Sequence, residues 1–272
     1  MMLRHRLVGT VFGRVAQSIR HQLDWIGARQ SYGESTGTVA NDRIAEILVT
    51  RLCMPGGGFL DVGAHIGSIM ASVAHHQPSA KLYAVEAIPE KAAWLRRKFP
   101  AATILECAAG DHEGEVQFFI NESRSGYSSL SADNAGAEDR MREIRVKMCR
   151  IDRLIGGAPI DVIKIDVEGA ELGAVRGLEA LMIRDKPTIM FESAPPADAK
   201  ARDDRRALWQ WFADHDYTVL IPNRVAHGDG GLGLESFIDA HIYPRRTTNY
   251  FAVARTRRDE IRARARHCLG FD

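Results

Sequence analysis

Apolar residues recur along this chain in two alternating patterns. Short apolar runs, typical of buried strands, lie at residues 59–62, 81–85, 103–106, 160–165 and 188–191. Between and after them, helical spacing of apolar residues is found at residues 68–76, 89–99, 169–182 and 203–215. Strand and helix in alternation are typical of parallel strands joined by right-handed crossovers. The pattern therefore predicts a doubly wound, Rossmann-like α/β fold.

The second half of the chain adds further strands and two long polar segments. Additional strands are predicted at residues 115–120, 144–150, 217–221 and 250–254. Residues 121–140 are rich in Ser, Asp and Asn, and residues 222–248 are rich in Gly, so both are predicted to be loops. Loops of this length often cover a binding site.

Both ends of the chain differ in character from its middle. Residues 3–20 show apolar residues every four positions with arginines between them, which predicts an amphipathic basic helix. Residues 30–38 are predicted to be a loop and residues 41–53 a helix. We therefore divide the chain into a helical extension at 1–40, a central α/β domain at 41–256 and a basic tail at 257–272. The N-terminal helix is expected to contact the body, a second copy of the chain or a membrane surface.

Composition narrows the class of protein. Apolar residues make up 45% and charged residues 26%, which is ordinary for a globular protein. The net charge is +1, so no overall positive field favours nucleic acid. The four cysteines are scattered without a C-x-x-C pair, which excludes a zinc ribbon and favours a reducing compartment. We find neither a signal peptide nor a transmembrane segment, and we expect a cytoplasmic protein.

Acidic residues stand where the predicted strands end. Asp61, Glu86, Asp166 and Glu192 each close a strand, and Glu168 follows two residues after Asp166. The carboxyl ends of parallel strands share one edge of a sheet, and ligands of doubly wound folds bind at that edge. These carboxylates therefore predict a site there.

The turn after the first strand distinguishes between two ligand classes. A dinucleotide needs the spacing G-x-G-x-x-G for its pyrophosphate, whereas this turn has only Gly63 and Gly67, beside Asp61. S-Adenosylmethionine carries no phosphate, so Asp61 could face its cationic amino-acid portion and Gly63 would allow close approach. Backbone N–H groups of the turn, from Ala64 and His65, could hold its carboxylate, and Glu86 its ribose hydroxyls.

Five motifs together resemble one family. The sequences FLDVGAHIG and VEAIPE are similar to those of class I S-adenosylmethionine-dependent methyltransferases. With CAAGD, SGYSSL, KIDVEGAEL and the strand ending at Glu192, the chain resembles the FkbM family in particular, from about residue 56 to 193. His65 and Ala87 stand where family members typically have Asn and Pro.

The resemblance implies a fold, a cofactor and a reaction. The fold would be a mostly parallel seven-stranded sheet with helices on both faces and an antiparallel last strand. The reaction would be methyl transfer from S-adenosylmethionine to a hydroxyl of a sugar, a polyketide-like molecule or a glycan. Ala87, Cys107 and Ala108 would join the cofactor-binding residues, and Ser128 and Ser129 would contact the acceptor.

An aliphatic hydroxyl is a poor nucleophile and needs a base or a metal ion. Asp166, Glu168 and Glu192 are the candidates, either as a base with its partners or as ligands of a divalent cation, and His65 is a second possible base. We favour the protonic arrangement and predict no metal. Two alternatives to the O-methyltransferase remain: an NAD(P)-dependent oxidoreductase, and a non-catalytic nucleoside-binding protein of the same fold.

Overall fold

The computed structural model describes residues 7–30, 35–123, 140–195, 199–242 and 245–271. The strands of these ranges are β1 (Gly58–Val62), β2 (Lys81–Val85), β3 (Thr103–Leu105), β4 (Ala108–Ala109), β5 (Gly114–Asn121), β6 (Met141–Cys149), β7 (Val162–Ile165), β8 (Thr188–Glu192), β9 (Tyr217–Leu220) and β10 (Asn249–Ala254). The helices are α1 (Val11–Gln30), α2 (Thr36–Arg51), α3 (Ser68–His76), α4 (Pro89–Lys98), α5 (Ile151–Ile155), α6 (Glu171–Arg176), α7 (Glu179–Asp185), α8 (Ala199–Asp214), α9 (Leu234–Asp239) and α10 (Arg258–Leu269).

Seven strands form the central sheet, in the order β3-β2-β1-β7-β8-β10-β9. Neighbours from β3 to β8 pair in parallel, while β10 runs antiparallel to both β8 and β9. Strand order reverses between β1 and β7, which is where a doubly wound sheet opens a binding crevice. The predicted fold class is confirmed, including the antiparallel last strand.

The sheet is buried on both faces because its strands alternate apolar residues between two cores. Every residue of β1 is buried; Phe59 joins the core under α2, α3 and α10, and Leu60 joins the core on the other face. The second core contains a group of aromatic rings, with Phe191 5.0 Å from Phe212 and 5.8 Å from Tyr250 between ring centres. Burial of these large side chains is the main stabilising term of the fold.

A second, three-stranded sheet was not predicted. Strands β5 and β6 form a long antiparallel hairpin, and β4 pairs in parallel with the end of β6. Phe118, Ile120 and Val146 of the hairpin pack on Ile88 and Ala108. The hairpin thereby lies over the carboxyl ends of β2 and β3.

Several helices differ from the sequence prediction in their bounds. The predicted helix at 169–182 is two helices, α6 and α7, with Gly177 between them. A Cβ at Gly177 would lie 2.0 Å from the carbonyl oxygen of Gly110, so only glycine fits at this position. Helix α2 begins at Thr36 rather than residue 41, α1 runs from Val11 to Gln30, and the predicted loop at 222–248 contains α9.

The C-terminal segment is part of the packed body. Ile261 and Ala265 of α10 are fully buried against the core that contains α2. The segment predicted as a basic tail therefore contributes apolar residues to the same core as the sheet. Among the described residues, no helix is both long and apolar enough to span a membrane.

Candidate active site

The turn after β1 is shaped by two glycines with positive φ. Gly63 has φ 78°, and a Cβ there would lie 1.9 Å from the carbonyl oxygen of Asp166. Gly67 has φ 76°, and a Cβ there would lie 2.5 Å from the ring of Phe99. The sequence suggested that Gly63 gives space to a ligand. The structure shows that the missing side chain of Gly63 leaves room for the carbonyl group of Asp166, at the end of β7.

Glu86 is held with its carboxylate at the edge of this turn. The side chain is buried, its Oε2 accepts a hydrogen bond from the backbone N–H of His65 at 2.8 Å, and its Oε1 accepts one from Ile88 at 2.9 Å. A carboxylate has about four acceptor positions, so two remain for a ligand. This arrangement fits the two hydroxyls of a ribose. Burial raises the pKa of Glu86, and the charge of Lys91 opposes that rise.

Glu86 lines a cavity at the carboxyl ends of β1, β2 and β7, which encloses about 560 Å³ when the space at its open mouth is counted. Six residues predicted to bind the cofactor line it, together with Asp166 and Glu168. These are Gly63, His65, Glu86, Ala87, Cys107, Ala108, Asp166 and Glu168. Asp61, Ala64 and Gly67 do not line this cavity.

Lys91 and Phe118 also line the cavity and were not identified from the sequence. Lys91 lies in the first turn of α4, and burial lowers its pKa while Glu86 and Glu90 oppose the decrease. Phe118 comes from the β5–β6 hairpin. Lys91 could have been identified from the sequence, because it follows Pro89 in the first turn of a predicted helix. Phe118 could not, because it reaches the cavity only through a hairpin that the sequence did not predict.

Asp61 lies beneath the turn and faces a lysine. Lys164 Nζ is 3.2 Å from Asp61 Oδ1 and 3.2 Å from Asp166 Oδ2, and it donates a hydrogen bond to the carbonyl oxygen of Gly63 at 2.9 Å. The Asp61 side chain is 1% exposed and that of Lys164 8%. Burial disfavours the charge on Lys164, but Asp166 and Asp61 outweigh it, so the pKa of Lys164 rises. Asp61 is thus placed to fix the turn through Lys164.

The acidic residues at the ends of β7 and β8 do come together. Asp166, Glu168 and Glu192 each place one oxygen within 4.8 Å of the others. Glu168 has φ 50°, a left-handed conformation that is uncommon for a residue other than glycine. Such strain is often found at functional sites, where the surrounding fold imposes it.

These carboxyl groups differ in their affinity for a proton. Burial raises the pKa of Glu192 to about 9, and the charge of Asp166 adds to the rise. Burial also raises the pKa of Glu168 to about 7, again assisted by Asp166. Burial acts in the same direction on Asp166, but Lys164 and a hydrogen bond with Glu192 outweigh it and lower its pKa. At neutral pH, Glu192 therefore carries a proton that it shares with an ionised Asp166.

The same three oxygens could hold a hard divalent cation, since carboxylates are its preferred ligands. The proton on Glu192 and the ammonium of Lys164 relieve the repulsion within the cluster without a cation. Ser128 and Ser129, predicted to contact the acceptor, lie outside the described residues.

A buried pair fixes the chain just after Glu192. Ser193 Oγ lies 2.8 Å from His241 Nε2, and His241 Nδ1 lies 2.8 Å from the carbonyl oxygen of Phe237. Burial lowers the pKa of His241 to about 4, so the ring is neutral, donates to Phe237 and accepts from Ser193. The pair ties α9 to the end of β8.

Comparison with known proteins identifies the family to which this chain belongs. Residues 61–219, more than half of the chain, match the methyltransferase FkbM domain. The chain belongs to the FkbM methyltransferase family. The matched segment is thus a methyltransferase domain, and its cofactor is S-adenosylmethionine. Of the groups that line the cavity, the buried carboxylate of Glu86 is the one whose chemistry suits the ribose hydroxyls of that cofactor.

Individual relatives are distant. The AMB antimetabolite synthetase AmbE of Pseudomonas aeruginosa is 25% identical over 206 residues, which cover 61% of this chain and 10% of that protein. This chain thus spans about a tenth of the length of that curated relative.

Two solved structures are similar at lower identity. A methyltransferase FkbM from Methylobacillus flagellatus is 18% identical with a TM-score of 0.47, covering 74% of this chain and 44% of that one. Aeropyrum pernix fibrillarin, solved with S-adenosylmethionine, is 13% identical with a TM-score of 0.40, covering 73% and 67%.

Proposed function

We propose that this protein is an O-methyltransferase that methylates a hydroxyl of a sugar, polyketide-like molecule or glycan, with Glu168 as general base. The observation that carries the proposal is the acidic cluster beside the cofactor cavity. Asp166 and Glu168 line that cavity, and Glu192 hydrogen-bonds to Asp166. Family membership favours methyl transfer over the hydride transfer of an NAD(P)-dependent oxidoreductase.

Among the three carboxylates, Glu168 suits the proton transfer best. Its pKa of about 7 matches neutral pH, where a general base is most effective. Asp166 binds a proton too weakly, since its pKa is lowered, and Glu192 is already protonated. When bound, S-adenosylmethionine supplies an electrophilic methyl group on a sulfonium.

Each of these residues would then have its own role in the reaction. Glu86 holds the ribose side, which positions the reacting groups. Glu168 accepts the proton of the acceptor hydroxyl as the oxygen–carbon bond forms and the carbon–sulfur bond breaks. Asp166 would supply a negative charge that favours a bound sulfonium cation, and Lys164 holds Asp166 in place. His65, which lines the same cavity, is the second candidate base.

The test is methyl transfer from isotopically labelled S-adenosylmethionine to a panel of methyl glycosides and polyketide alcohols, beside matched amines and thiols. We expect label on oxygen, with a rate that rises with pH through about 7 as Glu168 ionises. Glu168→Gln should lower turnover by about 10²–10⁴-fold and remove that rise, with little change in S-adenosylhomocysteine affinity.

The control is Glu143→Gln, which alters an exposed carboxylate on β6 and should leave turnover unchanged. A chelator arm separates the two uses of the cluster: activity should be unaffected by EDTA. Transfer only to amines or thiols would refute the O-methyltransferase assignment. Full turnover in Glu168→Gln would instead indicate His65 as the general base. Loss of activity in EDTA, with recovery in Mg²⁺, would establish a metal site.

A further inference from the structure

Helix α1 turns its apolar side away from the protein. Five large apolar residues of this helix are exposed: Phe12 78%, Val15 53%, Ile19 52%, Leu23 61% and Ile26 53%. At 3.6 residues per turn these five positions fall within an arc of about 80°, so they form one continuous stripe. We call these five residues the apolar stripe.

The opposite side of the helix is the one that faces the body. Ala28, which is 5% exposed, lies about 180° around the helix from the middle of the apolar stripe. The groove between α1 and α2 is lined by the charged residues Arg20, Asp24, Asp42, Arg43 and Glu46 together with Trp25, Ala28 and Val39, and of the apolar stripe only Leu23 borders it, with 61% of its surface exposed. A helix that packs to stabilise a fold buries its apolar side, so this orientation leaves the stripe available for another partner.

The charge of the segment identifies the kind of partner. The first thirty residues contain five arginines and one aspartate, whereas the whole chain has a net charge of +1. The remaining residues are therefore net acidic, and positive charge is concentrated at this end.

A second copy of the chain fits the stripe less well. If Phe12, Ile19 and Ile26 occupy the a positions of a heptad, the d positions are Val15, Gln22 and Arg29. Two polar residues at three d positions make a poor coiled-coil seam, and pairing would bring two arginine-rich segments together. An anionic lipid surface instead attracts the arginines and accepts the apolar stripe at the depth of the acyl chains.

We propose that α1 is a membrane-surface helix, whose apolar stripe inserts into the headgroup region of an anionic bilayer while the arginines contact its phosphates. The helix would lie in the plane of the interface and place the enzyme on the membrane without spanning it. This proposal does not depend on the methyl acceptor.

The test is co-sedimentation of the full chain with vesicles of phosphatidylcholine alone or of phosphatidylcholine and phosphatidylglycerol at three to one. The variant Phe12→Ser/Ile19→Ser/Leu23→Ser removes the apolar stripe. The matched control, Leu154→Ser/Ile183→Ser/Ile242→Ser, removes three apolar side chains that are 47%, 63% and 63% exposed elsewhere on the surface.

We expect the wild-type chain and the control to bind the anionic vesicles and to bind neutral vesicles more weakly. The stripe variant should bind at least about tenfold more weakly, because each buried apolar carbon adds to membrane affinity. Binding should also weaken as salt screens the arginines. Unchanged S-adenosylhomocysteine affinity in both variants will show that they are folded.

Three results would overturn the proposal. The first is that the wild-type chain does not bind anionic vesicles, and the second is that the stripe variant binds them as well as wild type does. The third is a wild-type dimer in light scattering that the stripe variant converts to a monomer, without vesicle binding. That outcome would assign the stripe to a second copy of the chain.

Discussion

At the scale of single residues, the proton between Glu192 and Asp166 is the feature with the widest consequences. The pKa of Glu192 is raised to about 9, so the folded protein keeps a proton that an unfolded glutamate loses above its ordinary value of 4.5. The folded state therefore binds more protons than the unfolded state between these values. By linkage, the free energy of unfolding falls as pH rises through this window.

Glu192→Gln should remove this decrease in the free energy of unfolding at high pH, because an amide is neutral at every pH and can still donate a hydrogen bond to Asp166. Without cofactor, we expect the variant to melt at a higher temperature than wild type at pH 8, by about 2–4 °C for each kcal/mol gained. The difference should disappear near pH 4. Thermal denaturation between pH 4 and 9 measures it, with Glu143→Gln as the exposed control. Parallel curves for Glu192→Gln and wild type would show that Glu192 is ionised.

At the scale of elements, the turns after β1 and β7 are in contact and constrain each other. Gly63 lies against the carbonyl oxygen of Asp166, and Lys164 of β7 donates to the carbonyl oxygen of Gly63. The two turns therefore form one unit that shapes the cavity and the acidic cluster bordering it.

Gly63→Ala should break this unit. The new Cβ would meet Asp166, and the backbone would keep a left-handed φ of 78°. We expect a loss of about 2–4 kcal/mol in the free energy of unfolding, measured in urea, with weaker S-adenosylhomocysteine binding.

Gly173→Ala supplies the contrast. This glycine lies within α6, and a Cβ there would meet nothing within 4 Å. The substitution should stabilise the protein by about 0.5–1 kcal/mol, since glycine is unfavourable inside a helix. Equal stability of the two variants would refute the close contact at Gly63.

At the scale of the whole molecule, the two edges of the sheet have separate tasks. The carboxyl ends of the strands carry the cavity and the acidic cluster, while the amino end of β7 anchors the C-terminal helix. There Asp161 Oδ2 lies 2.7 Å from Arg264 Nη2, and Asp161 also accepts a hydrogen bond from the backbone N–H of Met54 at 2.8 Å. Burial raises the pKa of Asp161, but its arginine partners outweigh burial and lower it overall.

Arg264→Met should therefore destabilise the protein by about 1–3 kcal/mol at neutral pH, because it leaves a buried carboxylate with fewer partners. The pKa of Asp161 is lowered, so its contribution is present above the ordinary pKa of aspartate and is lost in acid. The deficit should accordingly shrink below about pH 4. Urea unfolding at pH 7 and pH 3.5 measures both effects.

Arg262→Met is the control on the same helix. Arg262 pairs at 3.2 Å with Asp259, whose side chain is 86% exposed, so its loss should cost less than about 0.5 kcal/mol. S-Adenosylhomocysteine affinity should be unchanged in both variants, since the cofactor cavity lies at the other edge. A similar loss for the two substitutions would show that α10 is not anchored through Asp161.

The sequence by itself determined the seven strands of the central sheet, the glycine turn after β1 and the acidic residues at the strand ends. Each of these is a local pattern: apolar periodicity, glycine where φ is positive, and a charged residue where a buried strand reaches solvent. Parallel strands then place Glu86, Asp166 and Glu192 at one edge without further information.

The tertiary structure alone decided which side chains meet. Lys164 pairs with Asp61 and Asp166, Lys91 and Phe118 enter the cofactor cavity, and α1 faces outward with its apolar stripe. These results depend on the packing of segments that are distant in the chain, and on the burial that such packing imposes. Burial is also what separates the proton affinities of Asp166, Glu168 and Glu192, since identical carboxyl groups differ only through their surroundings.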